Sequence, residues 1–170
     1  MTFPKNKQRI LEYAGKYDTK YDDSAVEDEI RAWFRKNRYL NKEIFMKICL
    51  WKSQRPKKYY ERNQEDAIEE VTRFSLATKN ELVRVKSLMT LDGVSFPVAS
   101  TILHFAFPDQ YAIMDFRVIW SLGWEQPQRY TFEFWKRYCN TLVAIAQEIG
   151  VSVRTLDKAL WTYSKEHQQS

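Results

Sequence analysis

Apolar residues recur along this chain at spacings of three and four, separated by short polar stretches, and that period belongs to helices packed on one side. The first run predicts a short helix over 7–16 that buries Ile10, Leu11 and Ala14, and the polar stretch YDTKYDD after it reads as a loop. Ser24 with Glu27 three residues later has the form of a capping box, and Val26, Ile30, Trp33 and Phe34 continue as one helical stripe. Asn41 caps a further helix that carries Ile44, Phe45, Ile48 and Cys49 and ends near Trp51. From Asn63 to about Ala77 the stripe is Ile68, Val71 and Phe74; a second box, Thr78 with Glu81, opens the helix of Leu82, Val85, Leu88 and Met89. Leu91-Asp92-Gly93-Val94-Ser95 is a tight turn with a permissive glycine between apolar anchors. Ser95 stands at the cap of the next helix and Pro97 in its first turn, where a missing N–H costs nothing.

That helix reaches about Ala106, with Ala99, Ile102, Leu103 and Ala106 inward and Pro97, Thr101, His104 and Phe105 on its other face. After Pro108, the apolar Tyr111-Ala112-Ile113-Met114 ends at Asp115, which reads as the N-cap of a helix from Phe116 to Leu122 stopped by Gly123. Thr131 starts a long helix with Trp135, Tyr138, Leu142, Ile145 and Ile149 inward, and Gly150 ends it. Ser152 caps the last helix, where Leu156, Ala159, Leu160 and Tyr163 pack while Asp157 and Trp161 fall off the stripe. The tail after Glu166 is polar and is expected to fray. No internal repeat or low-complexity linker interrupts the pattern, so residues 1–170 read as one all-α domain.

Composition agrees with a helical reading. Only four Gly and five Pro punctuate 170 residues, 44% of them hydrophobic, a length that buries a core without disulfides. The net charge of +5, with a pI near 9.1, permits an anionic partner without requiring one. Cys49 and Cys139 lie on apolar faces and read as buried thiols. Two cysteines fall short of the four that ligate an iron–sulfur cluster, and His104 and His167 are the only histidines, so no metal site is expected. No window supplies the roughly 18 to 20 apolar residues of a membrane span. An intracellular, reducing compartment, cytoplasm or nucleoid or nucleus, is therefore expected.

Two stretches carry candidate chemistry. The run from Lys52 through Arg55, Lys57 and Lys58 to Tyr59 and Tyr60 combines cations with aromatic faces. It reads either as a solvated loop or as a strip for nucleic-acid phosphates and unstacked bases. The turn at Gly93 leads into a helix whose first backbone N–H groups suit a phosphate oxygen. Beyond it stands one conspicuous carboxylate, Asp115, which by itself reads as a cap.

The order L-x-G-V, Ala99, Leu103, Ala106-Phe107, then Ala112-Ile113-x-Asp115-x-x-Val118 resembles the helix-hairpin-helix glycosylase superfamily of base-excision repair. The resemblance covers Leu91 to Trp120; the flanking chain agrees in being helical. It implies a two-lobed glycosylase-like fold, with a barrel-like lobe over about 42–114 and a second lobe from about 1–41 and 115–170. It implies that Asp115 is the catalytic carboxylate. It also implies that the hairpin, Leu91, Gly93, Val94, Ser95 and Pro97, grips the DNA backbone; Lys52, Arg55, Lys57 and Lys58 would join it by their charge, and Arg117 would pair with either a phosphate or Asp115. The base pocket would draw on Thr101, His104 and Phe105, facing the cleft that holds Asp115, with Trp51, which reads equally as core, and Trp161, which otherwise packs at the surface. Ser95 replaces the second hairpin glycine. Pro97 stands where bifunctional members carry a Schiff-base lysine, which favours hydrolysis by water over a lyase step.

The implied function is a monofunctional DNA N-glycosylase acting as a monomer on duplex DNA with an extruded base, without a cofactor except a monovalent cation at the hairpin. The alternatives are a non-catalytic helix-hairpin-helix DNA-binding module, in which Asp115 only caps, and a helical protein-interaction domain.

Overall fold

The structure is a computed structural model that describes Phe3 and residues 6–168. The described residues form ten helices and no strand: α1 (Lys7–Tyr21), α2 (Ser24–Lys36), α3 (Lys42–Lys52), α4 (Lys57–Tyr60), α5 (Glu65–Ala77), α6 (Glu81–Leu88), α7 (Phe96–Ala106), α8 (Phe116–Ser121), α9 (Phe132–Ile149) and α10 (Val153–His167). The protein is all-α, as the helical period implies. Among the described residues no helix is long and apolar enough to cross a membrane. The chain folds as two compact units, a terminal one from Met1–Ser24 and Pro108–Ser170, and a middle one from Ala25–Phe107. Residues 25–41, grouped with the termini in the lobes implied above, belong by their contacts to the middle unit.

In the terminal unit α10 packs along α1 and also against α8 and α9. Asn6 caps α1 by accepting from the Arg9 amide at 3.2 Å. The helix does not stop at Lys16, and the expected loop over 17–23 is largely helical. Tyr17 extends the buried stripe of Ile10, Tyr13 and Ala14 by another turn, and Asp22, at φ 39°, closes the end in the left-handed region. Leu11 lies off that stripe and is exposed. Phe3, Tyr13 and Tyr163 meet edge to face, with centroids 4.9 to 5.5 Å apart. The Ser121 hydroxyl donates to the Leu160 carbonyl at 2.7 Å and ties α8 to α10. Thr131 and Ser152 cap α9 and α10, and Gly150, at φ 73°, ends α9 as its position implies. Helix α10 runs to His167, one residue into the tail expected to fray after Glu166; residues 169 and 170 of that tail lie outside the described residues.

In the middle unit α3 packs on α4, α5 and α7, and α6 on α5 and α7. Ile44, Phe45, Ile48 and Cys49 form the buried side of α3 below an Asn41 cap at 2.9 Å. Two expected capping boxes are absent. Ser24 is already helical and donates to Asp22 at 2.7 Å, while Glu27 is buried and pairs with Arg31 at 3.1 Å. Asn80, not Thr78, caps α6 by accepting from the Val83 amide at 3.1 Å. The buried side of α5 is Ile68, Thr72, Ser75 and Leu76, which leaves Phe74 exposed and Val71 half-buried. Counting apolar residues selects the wrong face because both hydroxyls are satisfied locally. Thr72 donates to the Ile68 carbonyl at 2.7 Å and accepts from the Leu40 amide at 2.8 Å, and Ser75 donates to the Arg84 carbonyl at 2.8 Å.

Candidate functional site

The candidate residues fall in both units. In the middle unit, the turn between α6 and α7 places Gly93 at φ 82°, a conformation side chains with a Cβ adopt at a cost. A Cβ built on Gly93 would stand 2.7 Å from Cδ1 of Tyr60 and 3.1 Å from Cβ of Tyr59. Glycine is therefore required here twice over, by backbone conformation and by the close approach of α4. The expected loop before Tyr59 contains that short helix, which turns Tyr60 into the core at 0% exposure and leaves Tyr59 52% exposed. Burial pushes the Tyr60 phenol up to about 12.

Asn63 completes the support of the turn. Its side-chain amide donates to the Asp92 carbonyl at 3.0 Å and to the Tyr60 carbonyl at 3.0 Å, while its oxygen accepts from the Asp92 amide at 2.8 Å. One buried side chain thus fixes both polar groups of Asp92. The Leu91 and Val94 amides are closed by turn bonds of 3.2 and 3.1 Å to Leu88 and Leu91, and both side chains are buried anchors. Among the described residues the Gly93 and Ser95 amides make no hydrogen bond, so these two are the open backbone donors of the turn. Ser95 stands at the N-cap of α7 without a side-chain cap bond, and Pro97 lies in the first turn. Around the turn, Arg55, Lys57, Lys58 and Arg62 are exposed; Arg62 stacks over Tyr59 at 4.8 Å, and Lys57 pairs with Glu61 at 3.7 Å. Lys52 is half-buried.

Helix α7 is enclosed on nearly every side. Thr101, His104 and Phe105, expected on an open face, are buried with Ile102 and Leu103. The Thr101 hydroxyl donates back to the Pro97 carbonyl at 2.8 Å, and Phe105 meets Trp51 and His104 edge to face at 5.7 and 5.6 Å. These side chains are wall and core in this structure. Nothing in their spacing distinguishes that from an accessible pocket lining, since an enclosed helix and an amphipathic one share the same period.

In the terminal unit, Asp115 is the N-cap of α8, as its position implies, and its carboxylate accepts from the Arg117 amide at 3.0 Å. It is half-buried. The segment leading to it, Tyr111–Met114, is extended and buried, and it is held by α9: the Tyr138 hydroxyl donates to the Ile113 carbonyl at 2.8 Å. Burial drives the Tyr138 phenol well above its ordinary value, with the Asp157 and Asp115 charges acting in the same direction, so it stays a donor. Arg117 does not direct only its backbone toward the site. Its guanidinium lies over Phe116 at 4.9 Å and over Trp161 at 5.7 Å, which brings Trp161 to the α8 side of α10.

A second polar group escaped the sequence pattern. Asp157, off the apolar stripe, is buried and receives a hydrogen bond from Arg154 on the same helix. Arg154 also reaches the Tyr17 hydroxyl at 3.4 Å and Asp23 at 4.0 Å, and Tyr17 donates to Asp23. Burial pushes the Tyr17 phenol up. The three-residue spacing of Arg154 and Asp157 was the available signal, because residues so spaced share a helix face.

No group of His, Cys, Asp and Glu that would hold a metal is found among the described residues. Comparison with family models, with characterised proteins and with solved structures returned no match.

Proposed function

We propose that this chain is a monofunctional DNA N-glycosylase that hydrolyses the bond between a modified base and its sugar, with Asp115 as the catalytic carboxylate. The observation that carries the reading is the local construction of Asp115. A buried segment pinned by Tyr138 delivers the carboxylate to the start of α8, where the Arg117 amide fixes its rotamer without removing it from solvent. Such a group is preorganised, and preorganised charge is what stabilises a developing cation.

In the proposed reaction the nucleotide leaves the stack, at a cost of about a few kcal/mol. The C1′–N bond then breaks with its electron pair leaving on the base, and positive charge builds on the sugar opposite Asp115. Water adds its oxygen to C1′, giving an abasic site, and its proton passes through Asp115 or solvent to the departing base. In this reading α6, the turn and α7 form the helix-hairpin-helix, and the Gly93 and Ser95 amides take a phosphate oxygen. Pro97 offers no amine for a covalent intermediate, so the chain is expected to leave the abasic strand intact.

The test is a panel of duplexes bearing oxidised, alkylated, deaminated or hypermodified bases, scored for alkali-labile sites. The reading predicts abasic product from at least one class and no strand cleavage before alkali. Salt-sensitive binding to every duplex without product supports the second reading, a non-catalytic DNA-binding module. The observation that favours that module is the N-cap bond itself, which is a sufficient structural reason for an Asp at position 115.

A further inference from the structure

One face of the terminal unit joins three aromatic rings and three cations in an unbroken series. Lys20 lies 5.6 Å from the Tyr21 ring, and Tyr21 meets Trp161 edge to face at 5.1 Å. Trp161 has Lys165 at 5.7 Å and Arg117 at 5.7 Å, and Arg117 lies over Phe116 at 4.9 Å. Phe116 is 50% exposed, a large aromatic left in water next to a cation. Among the described residues Lys20, Lys165 and Arg117 form no ion pair; of the acids nearest them in sequence, Asp18 pairs with Lys158 at 2.6 Å and Glu166 with Lys16 at 3.2 Å, while Asp22 accepts from the Ser24 hydroxyl and Asp115 from the Arg117 amide. The three side-chain cations of the strip thus carry no carboxylate partner of their own, although the Asp115 carboxylate lies at one end of the series.

Cation–π contact in water contributes about 0.5–1 kcal/mol, as much as an exposed ion pair, so the rings hold the cations in place without carboxylates and leave their charge open to a ligand. A ligand that offers anions and flat π-faces together uses both halves of the arrangement. Single-stranded nucleic acid does so, with phosphates for the cations and bases for the exposed ring. Duplex DNA offers phosphates but hides its base faces, and an anionic lipid surface offers charge without bases.

We propose that Lys20, Tyr21, Trp161, Lys165, Arg117 and Phe116 form a binding strip for single-stranded DNA. This rests on the reading of the chain as DNA-acting for the choice of DNA, and on the cation–aromatic series for the choice of single strands. The strip is continuous in sequence with Asp115 through Phe116 and Arg117, so unpaired nucleotides next to an altered base are the natural occupants.

The experiment is fluorescence anisotropy of the full chain with labelled oligothymidine of about 12 nucleotides, within the span such sites cover, at several salt concentrations. Arg117→Ala with Lys165→Ala should weaken binding at least tenfold and reduce the salt slope by about 1.4, since each single-strand phosphate contact contributes about 0.7. Phe116→Ala should weaken binding about fivefold or more with the slope unchanged, because stacking releases no counterions. Circular dichroism of each variant checks the fold, and the exposed pair Arg35→Ala with Lys36→Ala on α2 is the control. The proposal is overturned if both strip variants bind oligothymidine as the wild type does. It is equally overturned if the control pair loses as much as the strip pair. A strip-dependent affinity for phosphatidylserine vesicles with no strip-dependent affinity for oligothymidine overturns it in favour of a membrane surface. Loss of oligothymidine binding in the strip variants, from a protein that releases no base from any duplex, upholds the strip and removes the glycosylase reading instead. Base release with unchanged oligothymidine binding does the reverse.

Discussion

A methyl group at Gly93 would have to displace the ring of Tyr60, which is fully buried and has nowhere to go, and would have to adopt φ 82° as well. Gly93→Ala is thus expected to destabilise the fold by about 1–3 kcal/mol, the cost typical of a side chain held in the left-handed region, measured by urea unfolding. A loss of DNA binding in that variant would consequently report on the turn's integrity as much as on the proposed phosphate contact. Asn63→Ala removes the side chain that holds both backbone polar groups of Asp92 and should cost about 1–3 kcal/mol in the same assay, because two part-buried hydrogen bonds of about 0.5–1.5 kcal/mol each are lost. Wild-type stability in either variant would contradict this account of the turn. The glycine and the Asp115 cap were legible in the sequence, since each is dictated by the conformation of its own residue. Tyr60 and Asn63 were not, because their partner lies about thirty residues away and no local period encodes it.

At the scale of elements, helices were legible wherever the apolar stripe was the whole buried face, as in α3 and α9. They were misread where the buried face included hydroxyls or charges. Thr72 and Ser75 belong to the core of α5 because each returns a hydrogen bond to backbone, and the exposed Phe74 shows that apolar identity alone does not choose the face. Asp157 and Arg154 are the corresponding case in α10. Removing Asp157 takes the charge nearest the buried Arg154 and leaves it the longer contacts to Tyr17 and Asp23, so Asp157→Ala should lower stability by about 3 kcal/mol, the low end for a broken buried pair. Arg154→Met combined with Asp157→Leu should recover most of that loss if the pair contributes little beyond satisfying itself. Chemical denaturation of the two proteins decides it; equal destabilisation would mean that the links to Tyr17 and Asp23 carry the effect.

For the whole molecule, the buried phenols set the alkaline limit. Tyr60 is held protonated to about 12, and Tyr17 and Tyr138 are shifted in the same direction by burial. A phenol whose folded value lies above its unfolded value near 10 contributes stability that is complete below pH 10 and is lost as pH rises through the folded value. The urea midpoint should consequently hold between pH 7 and 9 and fall steeply from pH 10 to 12; a flat profile across that range would contradict the burial of these hydroxyls. Fold class was legible at this scale because a helical period repeated along the chain leaves little room for strands. The enclosure of Thr101, His104 and Phe105 was not, because their burial depends on what the tertiary fold lays over a helix rather than on the helix itself.

The central claim concerns Asp115, and Asp115→Asn tests it with the least disturbance, because asparagine keeps the cap of α8 while removing the charge. On a modified duplex from which the wild type releases base, the single-turnover rate of the variant should fall by about two orders of magnitude or more, with duplex affinity and unfolding midpoint retained. Base release at the wild-type rate from Asp115→Asn would contradict the assignment and leave Asp115 as a helix cap.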